Sequence, residues 1–383
     1  MKLGCTSFGE PVAHLAYLHT EFVQQRKWMS DKTYADLVSF CQFLPGPASS
    51  QVVIALGFFR CGLMGGLGAW FGFCLPSVIL LVLFAQGITS LDTSYSLKII
   101  QGLKIVAVAI VAKALWQMAN KLCTTRVLIT LMTSSCITIL IFSEAYTQVM
   151  VIISAGLIGS LFLDSTEKIE TKSNETQISG FFISKKYAIL IFIFFCLLVA
   201  ASIFFKSDEA FWLSTFSVFF NSGSIVFGGG HVVLPLLESE IIPRKWLTQD
   251  LFMAGYGAAQ AVPGPLFTFA AYLGANIPVF TNLWLSGFWC LLCIYLPSFL
   301  LVACGLPFWE KLRHNKKVQS SLAAINAAVV GLLLAALYDP VWKGAITSST
   351  DFTLALASFV LLKFWNLPVW LIVLSGGIFY LFL

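Results

Sequence analysis

The pattern Gln-x-x-Pro-Gly-Pro occurs twice in this chain, as Gln42-Phe43-Leu44-Pro45-Gly46-Pro47 and as Gln260-Ala261-Val262-Pro263-Gly264-Pro265. Other residues recur around it in the same order. Gly4, Phe8, Gly9, Leu15, Leu18 and Glu21 return 219 residues later as Gly223, Phe227, Gly228, Leu234, Leu237 and Glu240. After a one-residue gap, Arg26, Lys27 and Trp28 return as Arg244, Lys245 and Trp246, and Leu75-Pro76-Ser77 returns as Leu296-Pro297-Ser298. Shared hydrophobicity does not place Pro, Gly, Trp, Gln and Arg in one order twice. The chain reads as a tandem duplication, so its fold must be built from two related halves.

Composition says where those halves live. Of 383 residues, 58% are hydrophobic and 11% charged, against about 25% charge in soluble domains. Tyr187 to Phe205 carries no charge at all and is close to the roughly 20 apolar residues needed to cross a bilayer. A water-soluble enzyme, a nucleic-acid binder and a disordered chain are thereby excluded. The net charge of +5 is spread over short connectors, which gives no footprint for nucleic acid. The ten Cys are scattered, and the lone C-x-x-C, Cys290 with Cys293, lies in an apolar stretch, so packing is their expected role. Four His without paired spacing imply no metal or haem, and nothing points to any other cofactor. No cleavable signal peptide is expected, because Met1 leads directly into a Gly-rich segment. The repeat places Met1 opposite Phe220, whereas the second-half run begins near Phe211, so the first span is expected to lack about nine leading residues.

The expected architecture is an all-α polytopic membrane protein of two inverted-topology repeats. A first repeat covers 1–163 and a second 187–383, separated by the hydrophilic stretch 164–186, which reads as a solvated cytoplasmic linker. Apolar runs number six in the first half and seven in the second, about 13 transmembrane or re-entrant helices, with 187–205 as the extra connecting span. Lys311, Arg313, Lys316 and Lys317 mark a cytoplasmic connector by the positive-inside rule. Counting outward places Lys121, Arg126 and the linker inside, and Glu144, Asp208, Glu209 and Asp351 outside. The halves are then offset by seven crossings, an odd number, which inverts one relative to the other. Arg26 and Lys27 alone fall on the unexpected face.

Each Pro-Gly-Pro reads as a break from which a half-helix starts inside the membrane, since Pro suits the first helical position and Gly permits a sharp turn. A half-helix N-terminus presents free N–H groups and about half a positive charge, a ready anion site. Two Gly-rich segments upstream, Ser7-Phe8-Gly9 and Phe227-Gly228-Gly229-Gly230-His231, can add backbone amides to the same cavity. Candidate binding residues are therefore Gly9, Gln42, Pro45, Gly46, Pro47 and Ser49 in the first half. In the second they are Gly228, Gly229, Gly230, His231, Gln260, Pro263, Gly264 and Pro265. A charge near the bilayer centre costs on the order of 2.5–3.5 kcal/mol, so those retained pair or face a polar cavity. Arg26 and Arg244 fit a dianion, while Glu21 and Glu240 are their counter-ions or carry coupling protons.

These strings resemble the chromate ion transporter family, whose members have two homologous halves. Ser7-Phe8-Gly9 with Pro11 and His14, the run Cys41 to Gln51, Phe227 to His231, and Gly255-Tyr256-Gly257 through Pro265 carry the likeness over nearly the whole chain. Glu10 stands where the first motif usually has a second Gly. The resemblance implies export of chromate across the cytoplasmic membrane, more loosely proton coupling and cross-reaction with sulfate, and no enzymatic activity. The expected partners are a chromate- or sulfate-like anion and membrane lipid, and a homodimer is an admissible assembly. A sulfate importer or other oxyanion carrier, an anion channel and, least, a membrane-embedded enzyme are the competing readings.

Overall fold

The computed structural model describes residues 1–8, 11–90, 93–142, 145–163, 183–204, 210–227 and 229–381. Gly9, Glu10, Glu144, Asp208, Glu209, Gly228 and linker positions 164–182 lie outside the described residues. Those described form helices and connecting turns, with no strand among them. Among the described residues, five helical stretches are long and apolar enough to cross a membrane, Ala48–Ile88, Tyr95–Leu122, Lys185–Ser202, Leu283–Phe308 and Lys316–Ala345. The chain is a multi-pass membrane protein.

The expected runs containing Gly and Pro are each divided. In the first half, Ser30 caps the helix Asp31–Phe43 by accepting the Thr33 amide at 3.2 Å, and the chain then breaks at Leu44 before helix Ala48–Ser90 begins. In the second, Thr248 caps Gln249–Ala261 through the Leu251 amide at 3.4 Å, and a break at Val262 precedes Leu266–Thr268 and Phe269–Asn276. The capping hydroxyls satisfy amides that the first helical turn leaves unpaired. Both capped helices have 13 residues, about 20 Å at 1.5 Å per residue, short of the roughly 30 Å apolar layer. Each stops where its Pro-Gly-Pro starts.

The helix Ala48–Ser90 is itself interrupted at Cys61 and Gly62, where φ reaches 63° at the glycine. The chain doubles back there. A Cβ on Gly57 or Gly65 would run into the other's carbonyl oxygen, so only glycine lets the two arms cross so closely. Gly274 makes the matching approach to the carbonyl of Ser286 and to Cys290 in the second half.

The one-residue gap in the repeat also has a structural form. Glu21 and Arg26 are five apart, Glu240 and Arg244 four. The extra residue is absorbed by a π-helical turn, Thr20–Gln25, in which the Arg26 amide donates to the Glu21 carbonyl at 2.9 Å, as single-residue insertions in helices commonly do. Directly after, Lys27 and Lys245 hold φ of 52° and 57°, closing both helices in the left-handed manner usual for a C-terminal cap.

Beyond these paired elements the halves interlock. Arg126–Ile141 and Ala145–Phe162, which end the first half, pack against Lys316–Ala336 of the second. Conversely, Ser349–Lys363 and Val369–Leu381, which end the second half, pack against Thr93–Leu122 of the first. Small residues permit both crossings: a Cβ on Gly159 would meet the Ser320 carbonyl and Ala324, and one on Gly102 would meet the Gly376 carbonyl. Such small-residue contacts are how helices approach closely in lipid. The largest buried cluster runs between them, joining Leu37, Phe40, Val52 and Ile54 to Phe252, Phe269, Tyr272 and Ile294.

Candidate functional site

The two breaks are held by each other's half. The Gly46 amide donates to the Val226 carbonyl at 2.7 Å, and the Gly264 amide donates to the Ser7 carbonyl at 2.7 Å; Ser7 and Val226 are repeat counterparts. Gly46 and Gly264 have φ of 122° and 110°, a region that favours glycine. The buried Ser77 hydroxyl donates to the Pro263 carbonyl, while its counterpart Ser298 sits against Gly46 and Gln51. Gln51 closes the first break by donating from Nε2 to the Pro45 carbonyl at 2.6 Å. Pro45, Pro263 and Gly264 are thus structural members of the breaks.

Between the breaks lies a cavity of about 260 Å³, many times the roughly 10–15 Å³ that one water requires. Gln42, Gly46, Pro47 and Ser49 line it from the first half, and Gly229, Gly230, His231, Gln260 and Pro265 from the second. Three helical starts meet there, at Ala48, Gly230 and Leu266. The first amides of a helix have no partner within it and carry the positive end of its dipole. Among the described lining residues there is no carboxylate. The polarity of this wall suits an anion.

Several lining residues were invisible to the repeat. His14 lies one turn into Pro11–His19, is 2% exposed, and neither ring nitrogen has a hydrogen-bond partner among the described residues. The Gln260 Nε2 donor is likewise buried without a partner there. His231 Nδ1 is 2.6 Å from the Tyr256 hydroxyl, which orients its ring. Gln117, Met118 and Lys121 enter from Thr93–Leu122 and Asn326 from Lys316–Ala336, so the cavity lies where the interlocked outer helices meet the broken ones. Lys121 is exposed and supplies the lining with a cation.

The remaining expected residues stand elsewhere. Arg26 donates from Nε to Glu21 Oε1 at 2.7 Å and lies over Trp28, 5.7 Å from the ring centroid. Arg244 donates from Nη2 to Glu240 Oε2 at 2.8 Å and lies over Trp246 at 5.4 Å. The four charges form two equivalent ion pairs, and none of them lines the cavity. Among the described residues no group of three or more His, Cys, Asp or Glu is placed to hold a metal ion.

The family described as Chromate transporter matches residues 1–160 and 213–381. An uncharacterized transporter of Methanocaldococcus jannaschii is 25% identical over 344 residues, covering 88% of this chain and 81% of its own. A probable chromate transport protein of Synechococcus elongatus is 23% identical over 342 residues, 88% and 81% of the two chains. A chromate transport protein of Pseudomonas aeruginosa is 25% identical over 352 residues, 88% and 79%. No solved structure matches the chain. The family and these relatives are transporters and not enzymes. With both of its halves matched, the chain belongs to the chromate transporter family.

Proposed function

We propose that the protein exports chromate from the cytoplasm across the cytoplasmic membrane, coupled to the proton gradient, by alternating access at the cavity between the two Pro-Gly-Pro breaks. The supporting observation is that cavity itself: helix starts from both halves, partnerless buried donors on His14 and Gln260, and no carboxylate among the described lining residues. A tetrahedral dianion would be held by the Ala48 and Leu266 helix ends, the Gly229-Gly230 backbone, and Gln42, Ser49, His231 and Gln260, with His14 and Lys121 completing the shell. Arg26 and Arg244 are assigned to fixing their turns against Glu21 and Glu240.

The halves are read as inverted repeats, 1–163 and 187–383, about the linker 164–186. Their interlocking defines the moving bodies. The broken segments of both halves, 1–90 and 210–308, form one body, and the outer helices 93–163 and 316–381 form the other. Lys121 and Asn326 touch the cavity from the second body. Sliding of one body past the other would open the cavity to either face in turn, by shifting populations of two packed arrangements.

The test is uptake of labelled chromate into everted membrane vesicles, with sulfate as competitor in everted and right-side-out preparations. Chromate uptake in everted vesicles driven by the proton gradient is the expected result. Uptake of sulfate preferred in right-side-out vesicles would replace export by an import reading, and flux unaffected by collapsing the pH gradient would replace the carrier by a channel.

A further inference from the structure

Among the described residues, three carboxylates accompany the second half's first segment and its partner: Glu21, Glu240 and Glu238. The first two are held by arginines. Glu238 is different. It lies on the helix Val233–Ile241, is 5% exposed, and neither carboxyl oxygen has a hydrogen-bond partner among the described residues. An ionised carboxylate left buried and unpaired is very costly, so such a group takes a proton instead.

We propose that Glu238 is the residue that takes up and releases the coupling proton. The inference rests on the transport reading above and names the group that performs its coupling step. Its surroundings mostly favour the neutral acid, the one titratable group on the turn Gly230–Val232 that leads into its helix being His231. Phe211–Ile225, packed against this helix, has no ionisable residue, Ala145–Phe162 contributes only Tyr146, and Lys316–Ala336 carries its two lysines exposed in its first turn. On its own helix, Glu240 is occupied by Arg244. The charge whose field reaches Glu238 is Asp339, of like sign, itself paired with Lys343 at 2.6 Å.

A second buried polar group lies against the same helix. Gln148 donates weakly from Nε2 to the Pro235 carbonyl at 3.5 Å, and its Oε1 has no partner among the described residues. Pro235 and Glu238 are three apart on one helix and share a face. Glu238 also lies seven residues beyond His231, two helical turns or about 10 Å from the cavity wall. Movement of the broken segments relative to the outer helices therefore shifts both groups together.

The chemistry is one O–H bond. It forms with a proton from the outer aqueous face while the cavity is empty and open there, and it breaks with release of that proton inside, where chromate binds. The duplication does not supply this residue twice: the counterpart of Glu238 is His19, which is paired with Asp31 at 2.7 Å.

Purified protein in proteoliposomes, with the membrane potential clamped, tests the assignment. One proton exchanged per anion supports about tenfold chromate accumulation per pH unit. Glu238→Gln is expected to abolish that accumulation while chromate–chromate exchange at equal pH stays within about twofold of wild type. Accumulation retained in Glu238→Gln overturns the proposal. Labelling of wild-type protein by an apolar carbodiimide, which modifies protonated carboxyls, supplies a readout independent of substrate and of the variant's folding. Glu238 is expected to be modified in preference to Glu21 and Glu240, and modification of those two with Glu238 untouched overturns the assignment. Wild-type protein that exchanges no chromate overturns the transport reading instead, and the labelling result then still decides whether Glu238 binds a proton.

Discussion

Replacing Gly46 by alanine tests whether the break is the structural centre of the site. The position has φ of 122°, and a side chain held in so sparsely populated a region costs about 1–3 kcal/mol. An added Cβ would also lie 2.5 Å from Gln51 Nε2 and 2.6 Å from Ser298 Oγ, and overpacking of a buried site adds about 1–3 kcal/mol. The expected destabilisation is therefore about 2–6 kcal/mol. The two contributions separate experimentally, because Ser298→Ala removes one colliding atom but leaves the backbone strain. The double variant Gly46→Ala/Ser298→Ala should recover roughly 1–2 kcal/mol of the loss and no more. Thermal unfolding in detergent measures stability, and chromate uptake in vesicles measures function. A Gly46→Ala protein that melts with wild type and transports at its rate would refute the argument, since neither the strain nor the close approach would then exist.

Other outcomes follow from the same geometry. On the proposed reading, Lys121→Ala removes a charge-assisted contact of about 1.5–3 kcal/mol and should raise the KM for chromate about 10- to 150-fold, with Lys121→Arg largely retaining affinity. Arg26→Ala should lower thermal stability more than Arg26→Ala/Glu21→Gln, because the single change leaves a buried carboxylate without its partner; melting curves of the set decide it. Burial alone would raise the Asp351 carboxyl, but hydrogen bonds from Tyr380, Thr347 and Ser348 bring it down to about 2. A depressed carboxyl contributes stability above its ordinary value near 4 and loses it as pH falls toward 2. Acid melting of wild type should steepen in that window, and Asp351→Asn should flatten it.

The breaks were legible in the sequence because Pro and Gly act locally and because the duplication wrote them twice. Gln42, Gly46, Pro47, Ser49, His231 and Gln260 do converge on one cavity. His14, Lys121 and Asn326 were not legible as its neighbours. Their counterparts by repeat are not polar residues facing the same space, and only the meeting of three helices brings them together. Lys121 in particular reads as a connector charge, being at a helix end, and the positive-inside rule cannot tell a charge beside a loop from one at a cavity mouth. For Arg26 and Arg244 the sequence offered an anion or the nearby glutamates as partners; the π turn and the four-residue spacing bring each within hydrogen-bond distance of its own glutamate. The interlocking was also hidden, because the polar residues of Ala145–Phe162 and Ser349–Lys363 are spread around each helix and no apolar stripe marks which face seeks a partner.

That interlocking orders events during synthesis. When the ribosome has completed the helix ending at Phe162, its packing surface on Lys316–Ala336 is still roughly 150 residues from being made. At about 5–20 residues per second this is a wait of about 8–30 seconds, during which the small-residue faces of the first half are covered only by lipid or by the insertion machinery. Ser349–Lys363 and Val369–Leu381, by contrast, find Thr93–Leu122 already in place. The last helices to emerge are thus the ones that lock the first half shut.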